Sequence, residues 1–266
     1  MKIKVYAKLN LALNITGIKS GMHLIDTVMG SVSLFDELDV FEADKISVSC
    51  DMEINGKNIA MTAAEKVYEI CGRSLGVHIK KGIPVGGGMG GSSADGAGVL
   101  IAANKLFGLD KLTDINALAL SLGADVPYML SGGFCRAQGF GEMLSSFTAN
   151  CGGEFLIAEC GAVSTKDCYK LSDSLCNPSA DIDGVIRGIK GGRLEGLSNA
   201  LTEAAVVLNP KIGEGLEVFN QSGIAAFMTG SGGCIFGRYN EQAKALLEQK
   251  GFVCHKAVFV SGNTIL

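Results

Sequence analysis

Hydrophobic residues recur at every second position from the start of the chain: Ile3, Val5, Ala7, Leu9, Leu11, Leu13 and Ile15 share one parity. That period predicts a strand with one buried face, and it places Lys8 and Asn10 on the opposite one. Residues 17–22 read as a turn, and 27–41 as a second strand broken at Asp36. Ala63, Val67, Ile70 and Cys71 have helical spacing, so 62–71 is expected to be a helix that Gly72 ends. A short strand over 77–83 leads into a glycine-rich loop. An apolar helix over 93–107 follows, closed by Gly108, and then a helix over 113–122. The character of the chain changes at residues 150–153, which divides it into expected domains 1–150 and 151–266. In the second half, 155–159 reads as a strand and 183–189, 194–207 and 212–221 as helices. Strands over 225–228 and 234–236 pair around the turn 230–233, followed by a helix over 241–250 and a strand over 252–260. Strands and helices in this mixed order predict an α+β fold rather than a doubly wound sheet.

Composition narrows the function classes. A hydrophobic fraction of 47% with 19% charged residues describes an ordered globular chain of 266 residues. The net charge of −4, without a basic block, argues against nucleic-acid or membrane-surface binding. Nine cysteines with no C-x-x-C pair read as buried free thiols, and no apolar stretch reaches the ~18 residues of a membrane span. A cytoplasmic protein is expected.

The most informative segment is Pro84-Val85-Gly86-Gly87-Gly88-Met89-Gly90-Gly91-Ser92-Ser93-Ala94. Glycines at this density cost backbone entropy and are tolerated where a backbone must approach a ligand. The loop feeds a helix N-terminus, whose free N–H groups suit phosphate. Gly86, Gly88 and Gly91 satisfy G-x-G-x-x-G, but a helix and Gly108, not a strand, precede the acidic Asp110 that a dinucleotide site would need. Gly86, Gly91 and Ser93 have Walker A spacing, with Ser92 where the lysine belongs. A positive side chain for the phosphates must therefore come from elsewhere. Ser92 and Ser93 are candidates for helix N-cap, phosphate donor or magnesium ligand, and Asp95 for a structural acid with a water-mediated magnesium role open to it.

Residues 84–94 resemble the P-x-x-x-G-x-G-S-S-A signature of the GHMP kinases, the superfamily of galactokinase, homoserine kinase and mevalonate kinase. Ala7-Lys8-Leu9-Asn10-Leu11, Leu122-Gly123-Ala124-Asp125-Val126-Pro127 and Thr229-Gly230-Ser231-Gly232-Gly233-Cys234 extend the resemblance over nearly the whole chain. They point to the branch whose acceptor is a cytidyl diphosphate sugar alcohol, phosphorylated on its 2-hydroxyl on the non-mevalonate route to isoprenoid precursors. The resemblance implies an N-terminal ATP-binding domain of the ribosomal protein S5 domain 2-like type and a ferredoxin-like C-terminal domain, using Mg²⁺ and ATP. It implies Asp125 as the base and Lys8 as its cationic partner, the loop Pro84, Gly86, Gly87, Gly88, Met89, Gly90, Gly91, Ser92, Ser93 and Ala94 on ATP, and Asn10, His23, Tyr169, Gly230, Ser231 and Gly232 on the acceptor. Taken alone, Lys8 is a solvated strand lysine and Asp125 an N-cap. Met22 departs from the tyrosine that the family places before His23, where it stacks on the cytosine. Other readings are a mevalonate- or homoserine-type acceptor, or a non-catalytic nucleotide-binding paralogue.

Overall fold

The computed structural model describes residues 1–52 and 58–265. Strands β1 (Lys2–Lys19) and β2 (Met22–Ala43) form one long antiparallel hairpin. The turn expected over 17–22 contracts to Ser20 and Gly21, both at positive φ, so pairing runs to Lys19 and Met22. The break expected at Asp36 is absent: it stays in β2, opposite Val5. An acid is tolerated there because its Oδ1 accepts from the amides of Gly82 and Ile83, at 2.7 and 2.9 Å. Those bonds also end β4 (Ser74–Lys80) before the residue 83 expected.

β3 (Ser47–Cys50) lies parallel beside β4, and the sheet continues in the order β12 (Thr264–Ile265), β1, β2, β4, β3. β2 also pairs with β5 (Phe134–Gly139), which carries β6 (Met143–Phe147). Helices α1 (Ile59–Cys71), α2 (Gly91–Phe107), α3 (Ile115–Leu122) and α4 (Val126–Ser131) accompany this sheet. Gly72 and Gly108 take left-handed C-caps and bond back to Tyr68 and Asn104, as the sequence predicts.

The second sheet, in the order β11 (Val253–Val258), β7 (Glu154–Glu159), β10 (Cys234–Arg238), β9 (Ala226–Thr229), is antiparallel throughout. Numbered along the chain these strands lie 4-1-3-2, the split βαβ arrangement. Between β7 and β9 come α5 (Thr165–Ser172), α6 (Ile182–Lys190), α7 (Thr202–Leu208) and α8 (Pro210–Gln221). α9 (Glu241–Gln249) joins β10 to β11. The helix expected over 194–207 is corrected. Ser198–Asn199 form a short strand, β8, parallel to β1, and helix begins only at Thr202. Asn199 enforces this, since its amide donates to the carbonyls of Met228 and Gly230 at 3.0 and 2.8 Å, tying the segment across both sheets.

Phe259 lies against Phe134 on one sheet and Phe155 on the other, each at a centroid distance of 4.7 Å. A core cluster spans β1, β2 and α2 and extends to Phe155, Ile157 and Phe236, so buried apolar packing joins the halves. All nine cysteines are free thiols. No helix among the described residues is long and apolar enough to cross a membrane.

Candidate active site

Lys8 and Asn10 are not on a solvated face: each is only 4% exposed. Register shifts in β1 at Tyr6/Ala7 and Asn10/Ala12 break strict alternation, and the β9–β10 turn covers what would have been the open side. The amide of Asn10 donates to Thr229 Oγ1 at 3.0 Å, and Gly230 N donates to Asn10 Oδ1 at 2.9 Å. Lys8 Nζ donates to that same Oδ1, while Asn10 Nδ2 donates to Thr27 Oγ1 at 2.8 Å. Two donors converging on Oδ1 fix which way the amide faces. Asn10 thus holds Lys8 and the β9–β10 turn together.

Burial pulls the Lys8 ammonium below its ordinary pKa, and the negative charge of Asp125 opposes that shift. Asp125 stands at the N-cap position of α4, yet its side chain makes no capping bond and its backbone is already helical (φ −83°, ψ −15°). The capping role expected from the sequence is not used, and the carboxylate is free to face the cavity.

That cavity, about 700 Å³, is lined by Lys8, Asn10, Asp125, Gly230 and Ser231, by the hairpin residues Met22 and His23, and by Tyr169. Eight residues from five separate stretches of the chain meet in it. Gly232 does not line it: a Cβ there would press on Val163, Ala205 and Ile212, so this glycine serves packing. His23 Nε2 lies 2.7 Å from Asp173 Oδ1, and its ring lies 4.8 Å from that of Tyr169. Helix α5, which the sequence reading missed, brings Lys166, Lys170 and Asp173 to the same cavity. Its signals were Ser164, whose Oγ caps Asp167 N, and lysines four residues apart.

The glycine loop lines a second cavity of about 210 Å³, from Ile83 through Ser93. Gly88, Gly90 and Ser93 border both cavities, so this loop is their shared wall. Ala94 is fully buried and faces neither. Helix α2 starts from Gly90, at φ +76°, and not from Ser92 or Ser93. The two serines fall in the first turn, where backbone N–H groups have no intrahelical acceptor and suit an anion. The loop is clamped: Lys8 N donates to Met89 O at 3.0 Å, and the backbone at Gly88 lies against Thr229 and Gly232.

A lysine from outside the loop, Lys81, lies beside the helix start. Its Nζ donates to Asp36 Oδ2 and, at 2.9 Å, to Asp95 Oδ2. Burial disfavours this ammonium, but Asp95 and Asp36 together outweigh it and raise its pKa. Asp95, buried with Oδ1 unpartnered, has its carboxyl pushed well above the usual range by desolvation. It lines the loop cavity with Lys81 on its Oδ2. Among the described residues no group of three or more His, Cys, Asp or Glu side chains could hold a metal ion.

Residues 58–133 match the model of the GHMP kinases N terminal domain, and residues 185–251 that of the GHMP kinases C terminal domain. The 4-diphosphocytidyl-2-C-methyl-D-erythritol kinase of Caldicellulosiruptor saccharolyticus is 34% identical over 92% of this chain and 90% of its own length. The kinase of that name from Desulfitobacterium hafniense is 37% identical over 91% of this chain and 88% of its own. A solved 4-(cytidine 5'-diphospho)-2C-methyl-D-erythritol kinase superposes with a TM-score of 0.83 at 26% identity, covering 98% of this chain and 100% of its own. Homoserine kinase from Cytophaga hutchinsonii shares the fold (TM-score 0.70, 18% identity, 100% and 97% covered). A phosphate-suited glycine loop, a lysine–aspartate cavity beside it and these likenesses over the full chain agree: the chain belongs to the GHMP kinase family and is an ATP-dependent small-molecule kinase of two-domain α+β architecture.

Proposed function

We propose that the chain phosphorylates the 2-hydroxyl of 4-diphosphocytidyl-2-C-methyl-D-erythritol, a step in non-mevalonate isoprenoid precursor synthesis in the cytoplasm. The observation that carries this is the 700 Å³ cavity, in which the loop, the Lys8–Asp125 pair, the α5 lysines and the His23–Tyr169 pair share one space. An acceptor bearing a diphosphate and a base supplies a partner for each. Residues 1–150 form the ATP-binding half and 151–266 complete the acceptor cleft.

In this reading the loop amides between Gly86 and Ser93 hold the triphosphate, and the acceptor hydroxyl lies between Asp125 and Lys8. The Asp125 carboxylate takes the hydroxyl proton as the oxygen attacks the γ-phosphorus, and the bond from that phosphorus to the β,γ-bridging oxygen breaks to release ADP. Lys8, fixed by Asn10, offsets charge on the transferring group. Ser92 or Ser93, whose hydroxyls are oxygen donors of the loop cavity, would hold Mg²⁺. The ion would neutralise phosphate charge. Lys166 and Lys170 serve the acceptor diphosphate, and Tyr169 and His23 its base, His23 through the part of its ring that Asp173 leaves free.

Turnover of ATP with 4-diphosphocytidyl-2-C-methyl-D-erythritol, mevalonate and homoserine tests this reading. Met22, 55% exposed at the cavity, offers a thioether where an aromatic ring would stack. Met22→Tyr is expected to lower the KM of the cytidyl acceptor several-fold with little change in kcat, since base stacking on an aromatic is worth roughly 1–3 kcal/mol. Phosphorylation of mevalonate or homoserine with no turnover of the cytidyl compound, even in the Met22→Tyr variant, would overturn the acceptor assignment.

The loop assignment has its own check. A Cβ on Gly90 would fall 2.2 Å from Met129 Cε and 3.4 Å from Lys8 Cγ, at a φ that L-residues avoid. Gly90→Ala is expected to cost about 1–3 kcal/mol of stability and to weaken ATP binding by titration calorimetry. Unchanged ATP affinity would remove the loop from the nucleotide site.

A further inference from the structure

One buried cluster takes no part in the transfer described above. Asp36 is 0% exposed in the middle of β2 and uses both carboxylate oxygens. Oδ1 accepts from the amides of Gly82 and Ile83, the two residues that lead into the glycine loop at Pro84. Oδ2 accepts from Lys81 Nζ, which also donates to Asp95 on α2, the helix into which the loop runs. A single carboxylate therefore grips the incoming end of the loop directly and the outgoing end through one lysine.

The loop needs such a grip. Residues 84–91 include five glycines, with Gly86, Gly88 and Gly90 at positive φ, and such a chain has many conformations to lose. A loop that binds phosphate through backbone amides must present them together. Any ordering left until nucleotide arrives subtracts from affinity. Tying both ends to one rigid point in the sheet removes much of that cost beforehand.

We infer that Asp36 is a positioning residue for the nucleotide loop, acting through Gly82, Ile83 and the Lys81–Asp95 bridge to hold the loop ready for ATP. The inference rests on the kinase reading but not on the identity of the acceptor. A buried ion pair that merely held the fold would lower stability and touch both substrates alike. A loop-positioning residue acts chiefly on ATP, whose phosphates the loop amides hold, and less on the acceptor, which meets the loop only at Gly88, Gly90 and Ser93.

Asp36→Asn separates these roles. Its amide oxygen can still accept from Gly82 and Ile83, while its NH₂ cannot accept from Lys81. The ATP KM is expected to rise on the order of tenfold, as for one lost charged hydrogen bond, with a clearly smaller rise in the acceptor KM. ADP binding measured by calorimetry on the folded variant is expected to weaken in parallel. Lys81→Met, which leaves the two amide bonds intact, is expected to raise the ATP KM likewise, and Lys81→Arg, which can span the two carboxylates, to restore most of the affinity. These two variants carry the test if Asp36→Asn does not fold. Unchanged ATP KM in folded Asp36→Asn or Lys81→Met, or equal rises in both KM values, would overturn the inference. Failure of the wild-type chain to turn over ATP with any alcohol would instead refute the kinase reading itself.

Discussion

Asp125→Asn is expected to lower kcat by roughly 10²–10⁴-fold, the usual cost of losing a general base, with the fold intact and stability lowered only by what the Asp125 charge contributes to burying Lys8. The expectation of an intact fold comes from geometry. Asp125 makes no side-chain bond to the α4 backbone, so the substitution removes no cap. Asn is nearly isosteric and cannot take a proton from the acceptor hydroxyl. Lys8 loses the one opposing charge that offsets its burial, so its ammonium becomes easier to deprotonate and the rate falls further at alkaline pH. Steady-state kinetics and a thermal melt on the same preparation decide the matter. A stable variant with near wild-type kcat would remove Asp125 from the chemistry.

Lys8→Met is expected to cost roughly 10²–10³-fold in kcat, the scale found for removing one preorganised charge-stabilising group. Met keeps most of the aliphatic stem, and Asn10 Oδ1 retains Gly230 N as a donor, so the fold should survive. The wild-type pH profile supplies a second readout. Because burial lowers the pKa of Lys8, activity that needs its ammonium declines at a pH below the ordinary lysine value of 10.5. The linkage to stability has the opposite sign. Between the lowered folded pKa and 10.5 the unfolded chain binds more protons than the folded one, so the Lys8 contribution to stability rises with pH there. Activity and stability should therefore diverge over that window in the wild type, and the divergence should vanish in Lys8→Met. An active Lys8→Met enzyme with the same alkaline limb would exclude the role given to this lysine.

Much of the scaffold was legible in the sequence because it depends on neighbours along the chain. The two-residue period of β1, the helical spacing closed by Gly72, and the glycine loop running into α2 and ending at Gly108 are local patterns, and each lies close to its expected place. The shape of the loop was legible for the same reason: its glycines, its serines and the helix that follows are contiguous. What the sequence could not decide was which polar residues are buried. Lys8 and Asn10 alternate outward in the pattern, but the turn that covers them comes from a strand pair 219 residues further on. Asp36 looked like a strand break because no nearby residue could satisfy it, and its partners come from the segment just after β4. Lys81, which bridges Asp36 and Asp95, sits outside the motif by sequence yet lines the loop cavity. Asp125 carries the signature of a cap without capping, and Ser198–Asn199 became strand because Asn199 bonds to the β9 end. The free energy of a buried charge or amide is set by the groups that replace its water. In this chain those groups arrive from other segments, so the site existed only once the two sheets had closed on each other.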